Sequence, residues 1–265
     1  MTSAAASPLL LAVLGGDVSR SLSPRIHARA AEATGIAVHY LAVSAVTPLA
    51  FAERVAALRT LGARGANVTI PHKRVALALA DRLTEEARAI GAVNTLVFEA
   101  GRVEGHNTDG PGLVRCLAGR DLEVVRVLGA GGAARAAVWA AQAAGAGRVE
   151  VAARRPNEAS GLGVRAVALE ADAGEPPTTV ISTLPESAAE AGWGGFEPKR
   201  RPFVLDLAYA GLDASPALVE RARAEGLEAE DGLGLLAEQG ALSFARWTQG
   251  PLEAARAAMR AALKR

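Results

Sequence analysis

Lys73 and Asp109 are two charged side chains that this sequence sets among neutral polar residues, close to the ends of short strand-like segments. Lys73 lies at the start of a predicted helix, where a positive charge opposes the helix dipole, so the position favours a functional role. Asp109 starts another predicted helix and could serve only as its N-cap. A lysine and a carboxylate placed together can hold and move a proton, so the pair predicts acid–base chemistry.

Neutral polar side chains accompany this pair, namely Ser21, Ser23, Asn67, Thr69 and Asn94. Ser21 and Ser23 follow the first predicted strand, and in an extended segment side chains two residues apart point the same way. Both hydroxyls could therefore meet one carboxylate, although Ser23 could instead cap the helix that follows. Asn67 and Thr69 share one face of a short predicted strand. The set predicts a pocket for a small polar molecule.

A glycine-rich turn lies between a strand-like segment, 124–128, and an Ala-rich helix-like segment, 133–144. Such a turn lets the backbone approach a pyrophosphate, which the free N–H groups and the dipole of the following helix can bind. The alternative is a glycine-rich loop without a ligand. We predict cofactor contacts from the residues of the turn: Gly129, Ala130, Gly131, Gly132 and Ala133.

The next predicted strand, 148–152, is followed by Arg154 and Arg155. A domain that binds NAD usually carries Asp or Glu here to accept a hydrogen bond from the ribose 2′-hydroxyl, and Glu150 comes too early in the strand for that role. Two guanidinium groups suit a 2′-phosphate instead, so the sequence predicts NADP. The alternative is a pair of solvated arginines in a turn.

Strand-like and helix-like segments alternate along the chain, which predicts an α/β fold. We expect an N-terminal α/β substrate domain, residues 1–111 plus 241–265, and a Rossmann-type doubly wound NADP-binding domain, residues 112–240. The tail, 233–264, is helical almost throughout in its pattern and is predicted to return to the first domain.

Charge and composition exclude several kinds of partner and binding site. The net charge of +1 over 265 residues gives no reason to expect a nucleic-acid partner. One cysteine excludes an intrachain disulfide and a cysteine-based metal site, so we expect a reducing cytoplasm and no metal. No apolar run approaches the roughly 20 residues that span a membrane. The expected partner is a small-molecule substrate, and the sequence leaves monomer and homodimer open.

Seven segments follow one another over nearly the whole chain: Ser21-Leu-Ser-Pro24, Asn67-Val-Thr-Ile-Pro-His-Lys73, Gly91-Ala-Val-Asn-Thr95, Asn107-Thr-Asp-Gly110, Gly129-Ala-Gly-Gly-Ala133, Asp206-Leu-Ala-Tyr209, and Gln239-Gly240 with Phe244 and Trp247-Thr248. In this order they resemble the shikimate dehydrogenase family. The resemblance implies NADPH-dependent reduction of 3-dehydroshikimate to shikimate, a step of aromatic amino-acid biosynthesis.

The resemblance also implies roles for individual residues. Lys73 would be the acid/base and Asp109 would orient it. The other substrate contacts would come from Ser21, Ser23, Asn67 and Thr69, with Tyr209 near the carboxylate. Asn94, Asp109 and Gln239 would hold the ring hydroxyls. Three residues would lie near the nicotinamide: Glu85, Leu207 and Gly232.

The chain departs from the family pattern mainly on the cofactor side. Ala153-Arg154-Arg155-Pro156 replaces the usual Asn-Arg-Thr stretch, which bears on the choice between NADP and NAD. Two alternatives therefore stay open at this point. One is a quinate/shikimate dehydrogenase that uses NAD, and the other is a non-catalytic sensor that binds shikimate.

Overall fold

The computed structural model describes residues 7–169, 171, 175–185, 188 and 201–264. These residues form two units. The first contains the described residues up to Thr108 together with Ala237–Lys264, and the second is drawn from Asp109–Leu236. The domains predicted above are defined by what they bind, and their bounds stay a prediction.

The first unit is built on a mixed six-stranded sheet in the order β2-β1-β3-β5-β6-β4. β1 is parallel to β2 and β3, whereas β5 is antiparallel to β3 and β6. The strands are β1 Leu9–Gly15, β2 Val38–Ser44, β3 Gly65–Val68, β4 Arg82–Leu83, β5 Thr95–Glu99 and β6 Arg102–His106. The first four helices are α1 Ser23–Thr34, α2 Pro48–Thr60, α3 Lys73–Leu79 and α4 Glu85–Ile90.

The second unit has a six-stranded sheet in the order β12-β11-β10-β7-β8-β9, with every recorded pair parallel. Its strands are β7 Val124–Leu128, β8 Arg148–Ala153, β9 Arg165–Ala168, β10 Thr179–Ser182, β11 Phe203–Asp206 and β12 Ala229–Glu230. Its helices are α5 Asp109–Cys116, α6 Gly132–Ala143, the 3-10 helix Pro156–Leu162 and α7 Ala217–Ala224. Renumbered from β7, this is the doubly wound order 3-2-1-4-5-6, which confirms the predicted fold class.

The helical tail consists of two helices, α8 Leu233–Thr248 and α9 Leu252–Ala262. Pro251 separates them, because proline cannot donate the backbone hydrogen bond that would continue a helix. α9 packs against α1, and Arg25 Nε donates to Ala262 O at 3.1 Å. The tail therefore returns to the first unit, as predicted. Among the helices described, none is long and apolar enough to cross a membrane.

A buried ion pair joins the two strands that flank the glycine turn in sequence. Arg126 of β7 and Glu150 of β8 lie opposite each other, and Arg126 Nε donates to Glu150 Oε1 at 2.7 Å. Both side chains are almost fully buried. Losing Glu150 would leave the buried Arg126 guanidinium without this carboxylate, so the pair favours the observed register of these strands. It also accounts for Glu150, which the sequence already placed within the strand.

His27 of α1 lies in an aromatic cluster at the core of the first unit. Its ring stacks on Tyr40 at a centroid distance of 4.2 Å and is tilted against Phe244 and Trp247. Burial lowers the pKa of His27 to about 3, because a charged imidazolium loses its hydration there.

The buried histidine predicts a pH dependence of stability. Between pH 6.5 and about pH 3 the unfolded chain binds a proton at His27 that the folded chain does not. The free energy of unfolding should therefore fall as the pH decreases, with His27 contributing up to about 1.4 kcal/mol per pH unit. Urea unfolding of the wild type and of His27→Phe over this range would measure the difference. Equal pH slopes for the two proteins would contradict the prediction.

Candidate active site

The loop between β3 and α3 leads directly to Lys73, the first residue of α3, and is held by backbone hydrogen bonds. Thr69 N donates to Leu14 O at 2.8 Å, and His72 N donates to Thr69 O at 3.0 Å. The buried His72 ring stacks on Phe51, and its Nε2 donates to Ala45 O. Lys73 thus begins α3 at a position fixed by the residue before it.

Asn94 lies beside this loop and has the most clearly defined polar surroundings of the predicted ligands. Its backbone O accepts from Val68 N at 2.7 Å, and the preceding Val93 N donates to Lys73 O at 2.9 Å. Its side-chain Oδ1 accepts from the backbone N–H of Thr108 at 2.7 Å. Its Nδ2 donates to Gln239 Oε1 at 3.4 Å. The structure thus brings Lys73, Asn94 and Gln239 into one neighbourhood of the first unit.

The side chain of Asn67 belongs to a buried network of hydrogen bonds. Its Nδ2 lies 2.9 Å from Ser243 Oγ and 3.1 Å from Thr95 Oγ1, and its Oδ1 accepts from Tyr40 OH at 2.7 Å. Asn67 therefore serves at least to hold its neighbours. A direct contact with substrate stays a prediction.

Ser21 and Ser23 are close together, but not for the predicted reason. Leu22 has helical backbone angles, φ −83° and ψ −2°, so the segment is not extended and the two side chains do not alternate as in a strand. Leu22 is also the N-cap of α1, so the expected N-cap at Ser23 is wrong. Instead Ser21 Oγ accepts from Ser23 N at 3.2 Å, which pins the start of the helix.

Three further predicted ligands belong to different units. Asp109 is buried, begins α5 in the second unit and directly follows Thr108. Tyr209 also belongs to the second unit and is half-buried, whereas the exposed Glu85 begins α4 in the first, after the N-cap Thr84. The pairing of Asp109 with Lys73 and the assignments of Tyr209 and Glu85 stay predictions.

The glycine turn follows β7 at the point where strand connections diverge towards β8 and β10. Gly129 has φ +108°, and a Cβ there would lie 2.4 Å from Thr183 Oγ1, so only glycine fits without strain. Thr183 in turn donates to Leu128 O at 2.7 Å. In doubly wound sheets, ligands bind at this divergence beyond the carboxyl ends of the strands.

The start of α6 presents backbone donors beyond this turn. Gly131 is the N-cap and no side chain caps the helix, so the first N–H groups, which include those of Gly132 and Ala133, are available for an anion. Apart from its neighbours in the turn and helix, no atom in the described part of the chain would lie within 4 Å of a Cβ on Gly131. The space beside the turn is therefore open on the protein side, and the exposed Gly131 and half-buried Ala130 border it. These features fit a dinucleotide pyrophosphate.

The two arginines after β8 differ in their surroundings. Arg155 is 71% exposed in its side chain, precedes the 3-10 helix as its N-cap and pairs with Glu158 of that helix at 2.9 Å. Arg154 is exposed and makes no ion pair with another described residue. Arg154 is thus the better placed of the two to meet a 2′-phosphate.

Leu207 and Gly232, both predicted near the nicotinamide, lie together after β11 and β12. A Cβ on Gly232 would be 2.2 Å from Leu207 O, so the close approach requires glycine. Gly232 N also donates to Ala208 O at 2.9 Å.

Four residues of the polar network were missed as functional candidates: Tyr40, Thr95, Thr108 and Ser243. Thr95 and Thr108 lie inside recognised motifs but carried no predicted role. Ser243 is four residues after Gln239, a spacing that places both on one face of a helix. That spacing is a signal that could have found it.

Comparison with known proteins identifies the family. Residues 13–96 match the shikimate dehydrogenase substrate binding domain, and residues 232–264 match the shikimate 5′-dehydrogenase C-terminal domain. The chain is 39% identical over 259 residues to the shikimate dehydrogenase (NADP(+)) of a Geobacter species, covering 89% of this chain and 88% of the relative. The chain belongs to the shikimate dehydrogenase family. The protein of that name from Paracoccus denitrificans is 40% identical over 261 residues, with 90% of each chain covered.

Solved structures of family members share the fold. The shikimate 5-dehydrogenase of Thermus thermophilus, crystallised in complex with NADP(H) and shikimate, is 37% identical with a TM-score of 0.79, covering 96% of this chain and 100% of that one. The quinate dehydrogenase of Corynebacterium glutamicum in complex with NAD is 26% identical with a TM-score of 0.78, covering 95% and 98%. The predicted family resemblance is confirmed.

The open space at Gly131 predicts a substitution that separates cofactor binding from folding. Gly131→Ala should lower the melting temperature only slightly, because its methyl group meets no atom of the described residues beyond the turn within 4 Å and the loss is confined to a poorer N-cap. The same methyl group would obstruct a pyrophosphate, so KM for NADP⁺ should rise about tenfold or more. Gly129→Ala is the matched contrast, since its positive φ makes it lower the melting temperature as well. An unchanged KM for NADP⁺ in Gly131→Ala would contradict this assignment.

Proposed function

We propose that the protein is an NADPH-dependent shikimate dehydrogenase that reversibly reduces 3-dehydroshikimate to shikimate. The observation that carries the proposal is the co-occurrence of two sites in one chain. One is the cluster of Lys73, Asn94 and Gln239 in the first unit, and the other is the glycine turn with Arg154 in the second. Relatives named for this activity match over most of the chain.

The substrate side suits a polyhydroxylated carboxylate. Carboxamides such as Asn94 and Gln239 carry both donor and acceptor atoms, which match ring hydroxyls. Ser21, Ser23 and Thr69 supply hydroxyl donors for a carboxylate, with Tyr209 near it. Such a pocket rejects analogues that lack a hydroxyl, because buried polar atoms would be left unpaired.

Lys73 is assigned the proton transfer. When bound, NADPH supplies the hydride. Negative charge then develops on the ketone oxygen, and the Lys73 ammonium both stabilises this charge and donates its Nζ proton to that oxygen. Asp109 orients Lys73. In the oxidative direction neutral Lys73 accepts the hydroxyl proton.

The cofactor side is assigned to the second unit. The N–H groups at the start of α6 hold the pyrophosphate, and Gly129 and Gly131 allow the close approach. Arg154 meets the 2′-phosphate, and Arg155 gives a second positive charge nearby. Leu207 and Gly232 border the nicotinamide end.

A dehydrogenase assay that crosses shikimate and quinate with NADP⁺ and NAD⁺ tests the proposed function. We expect turnover of shikimate with NADP⁺ to exceed the other three combinations. Arg154→Ala should raise KM for NADP⁺ by about tenfold to a hundredfold, through loss of a charged hydrogen bond, with KM for NAD⁺ nearly unchanged. Arg155→Ala is the matched control and should have the smaller effect, since Glu158 already engages that side chain. A preference for NAD⁺ in the wild type would favour the quinate/shikimate alternative and overturn the cofactor assignment.

Lys73→Ala should separate catalysis from binding. We expect kcat to fall by about 10²- to 10⁴-fold, the usual contribution of a general acid, while calorimetry still detects shikimate binding. Arg74→Ala is the control, because Arg74 is the next residue of α3 and is exposed. If the turnover of Lys73→Ala stayed within twofold of the wild type, the role of Lys73 would be wrong. Shikimate binding by a wild type without turnover would favour the sensor alternative.

A further inference from the structure

Ser243 lies one helical turn after Gln239 in α8, and its hydroxyl is fully buried at the centre of the polar network in the first unit. Its Oγ donates to Gln239 O at 2.9 Å and lies 2.9 Å from Asn67 Nδ2. Two other hydroxyls touch it, Thr95 Oγ1 at 2.9 Å and Thr108 Oγ1 at 3.1 Å. One small side chain thus joins residues that are far apart in sequence.

The direction of the Asn94 carboxamide follows from a backbone group. The N–H of Thr108 can only donate, so the Asn94 branch that lies 2.7 Å away must be the oxygen Oδ1. The other branch is then Nδ2, which donates to Thr108 Oγ1 at 3.0 Å and to Gln239 Oε1 at 3.4 Å. Gln239 therefore turns its oxygen towards Asn94, and the NH₂ group is its other branch.

The direction of Asn67 is defined in the same way. The backbone O of Asn94 can only accept, so the Asn67 branch 3.3 Å away is Nδ2. Ser243 Oγ accepts from that same nitrogen, because its own proton is directed to the carbonyl of Gln239. Tyr40 OH then donates to Asn67 Oδ1 at 2.7 Å. In this arrangement the donors of Asn67, Asn94, Ser243 and Tyr40 each have an acceptor, which makes this part of the network rigid.

We propose that Ser243 is a positioning residue of the substrate site: its hydroxyl holds Asn67 in the direction that the Asn94 carbonyl defines and, with Thr95 and Thr108, holds Asn94 so that Gln239 presents N–H donors to a ring hydroxyl of the substrate. This inference rests on the proposed function, in which Asn94 and Gln239 contact the substrate. Without the Ser243 hydroxyl, Asn67 Nδ2 loses an acceptor and the Thr95 and Thr108 hydroxyls lose a shared partner. The carboxamides keep their backbone partners but are held by fewer hydrogen bonds. Substrate binding therefore weakens while the proton transfer at Lys73 is retained.

Ser243→Ala is the direct test, with Thr248→Val as the matched control. Thr248 lies in the same helix, and its Oγ1 donates to Phe244 O at 2.7 Å, again a carbonyl four residues earlier. It also accepts from Gly250 N at 3.0 Å and is outside the network. We expect Ser243→Ala to raise KM for shikimate about tenfold, with kcat within threefold and KM for NADP⁺ unchanged. Thr248→Val should lower the melting temperature without changing either KM.

Thr95 provides a second, independent pair of variants. Thr95→Val keeps the shape but removes the hydroxyl from a fully buried position, whereas Thr95→Ser keeps the hydroxyl. We expect Thr95→Val to raise KM for shikimate about tenfold and Thr95→Ser to stay within about twofold of the wild type. This pair decides the question if Ser243→Ala does not fold.

The outcomes separate this inference from the function on which it rests. A wild type that oxidises shikimate, with equal KM for shikimate in Ser243→Ala and Thr248→Val, overturns the positioning role alone. A rise in both KM values together, or equal losses in Thr95→Val and Thr95→Ser, also overturns it, because either would indicate general damage. A wild type that neither binds nor oxidises shikimate overturns the proposed function and the inference together.

Discussion

The hydrogen bond from the Thr108 backbone N–H to Asn94 Oδ1 is the constraint on which the polar arrangement of the first unit depends. A backbone N–H has no alternative to donating, so it removes the twofold ambiguity of the carboxamide. With Oδ1 assigned, the other branch of Asn94 is Nδ2, which donates to Gln239 Oε1 and so assigns the Gln239 carboxamide as well. A second backbone group, the carbonyl of Asn94, removes the same ambiguity at Asn67. Side-chain chemistry here is directed by backbone groups that the fold has already placed.

The two units present polar groups in different ways. The first relies on side chains that a buried network around Ser243 holds in place. The second relies on the backbone itself, at Gly129 and at the start of α6, where the absence of side chains creates the space. A network tolerates change poorly at each member, because one lost hydroxyl leaves several atoms unpaired. A backbone cradle tolerates most changes except at the glycines, which fits the greater divergence of the cofactor side from the family pattern.

Local patterns predicted most of what lies within one segment. The strand-turn-helix around Gly129 and the return of the tail are both present. Segments whose secondary structure depends on residues distant in sequence are harder to predict. β4 and β12 are each two residues long and exist only because a longer strand pairs with them. Leu22 takes a helical conformation because α1 begins next to it, which no alternation pattern reveals. Ser243, one hydrogen-bond partner of Asn67, lies 176 residues away in sequence, so residue spacing could not predict this contact.

The first unit is formed by two separate parts of the chain, and this has a consequence for how the protein folds while it is synthesised on the ribosome. The unit is made of residues before Asp109 and after Leu236, whereas the second unit lies between them in sequence. A ribosome therefore releases β1 to β6 long before α8, and Asn67 and Thr95 must wait for Ser243 as their shared partner. The second unit can form its own sheet while translation continues, since domains generally fold as units during synthesis. We therefore expect the first unit to complete its folding last. A nascent chain that stalls before α8 is made should expose the hydrophobic face that α8 later covers.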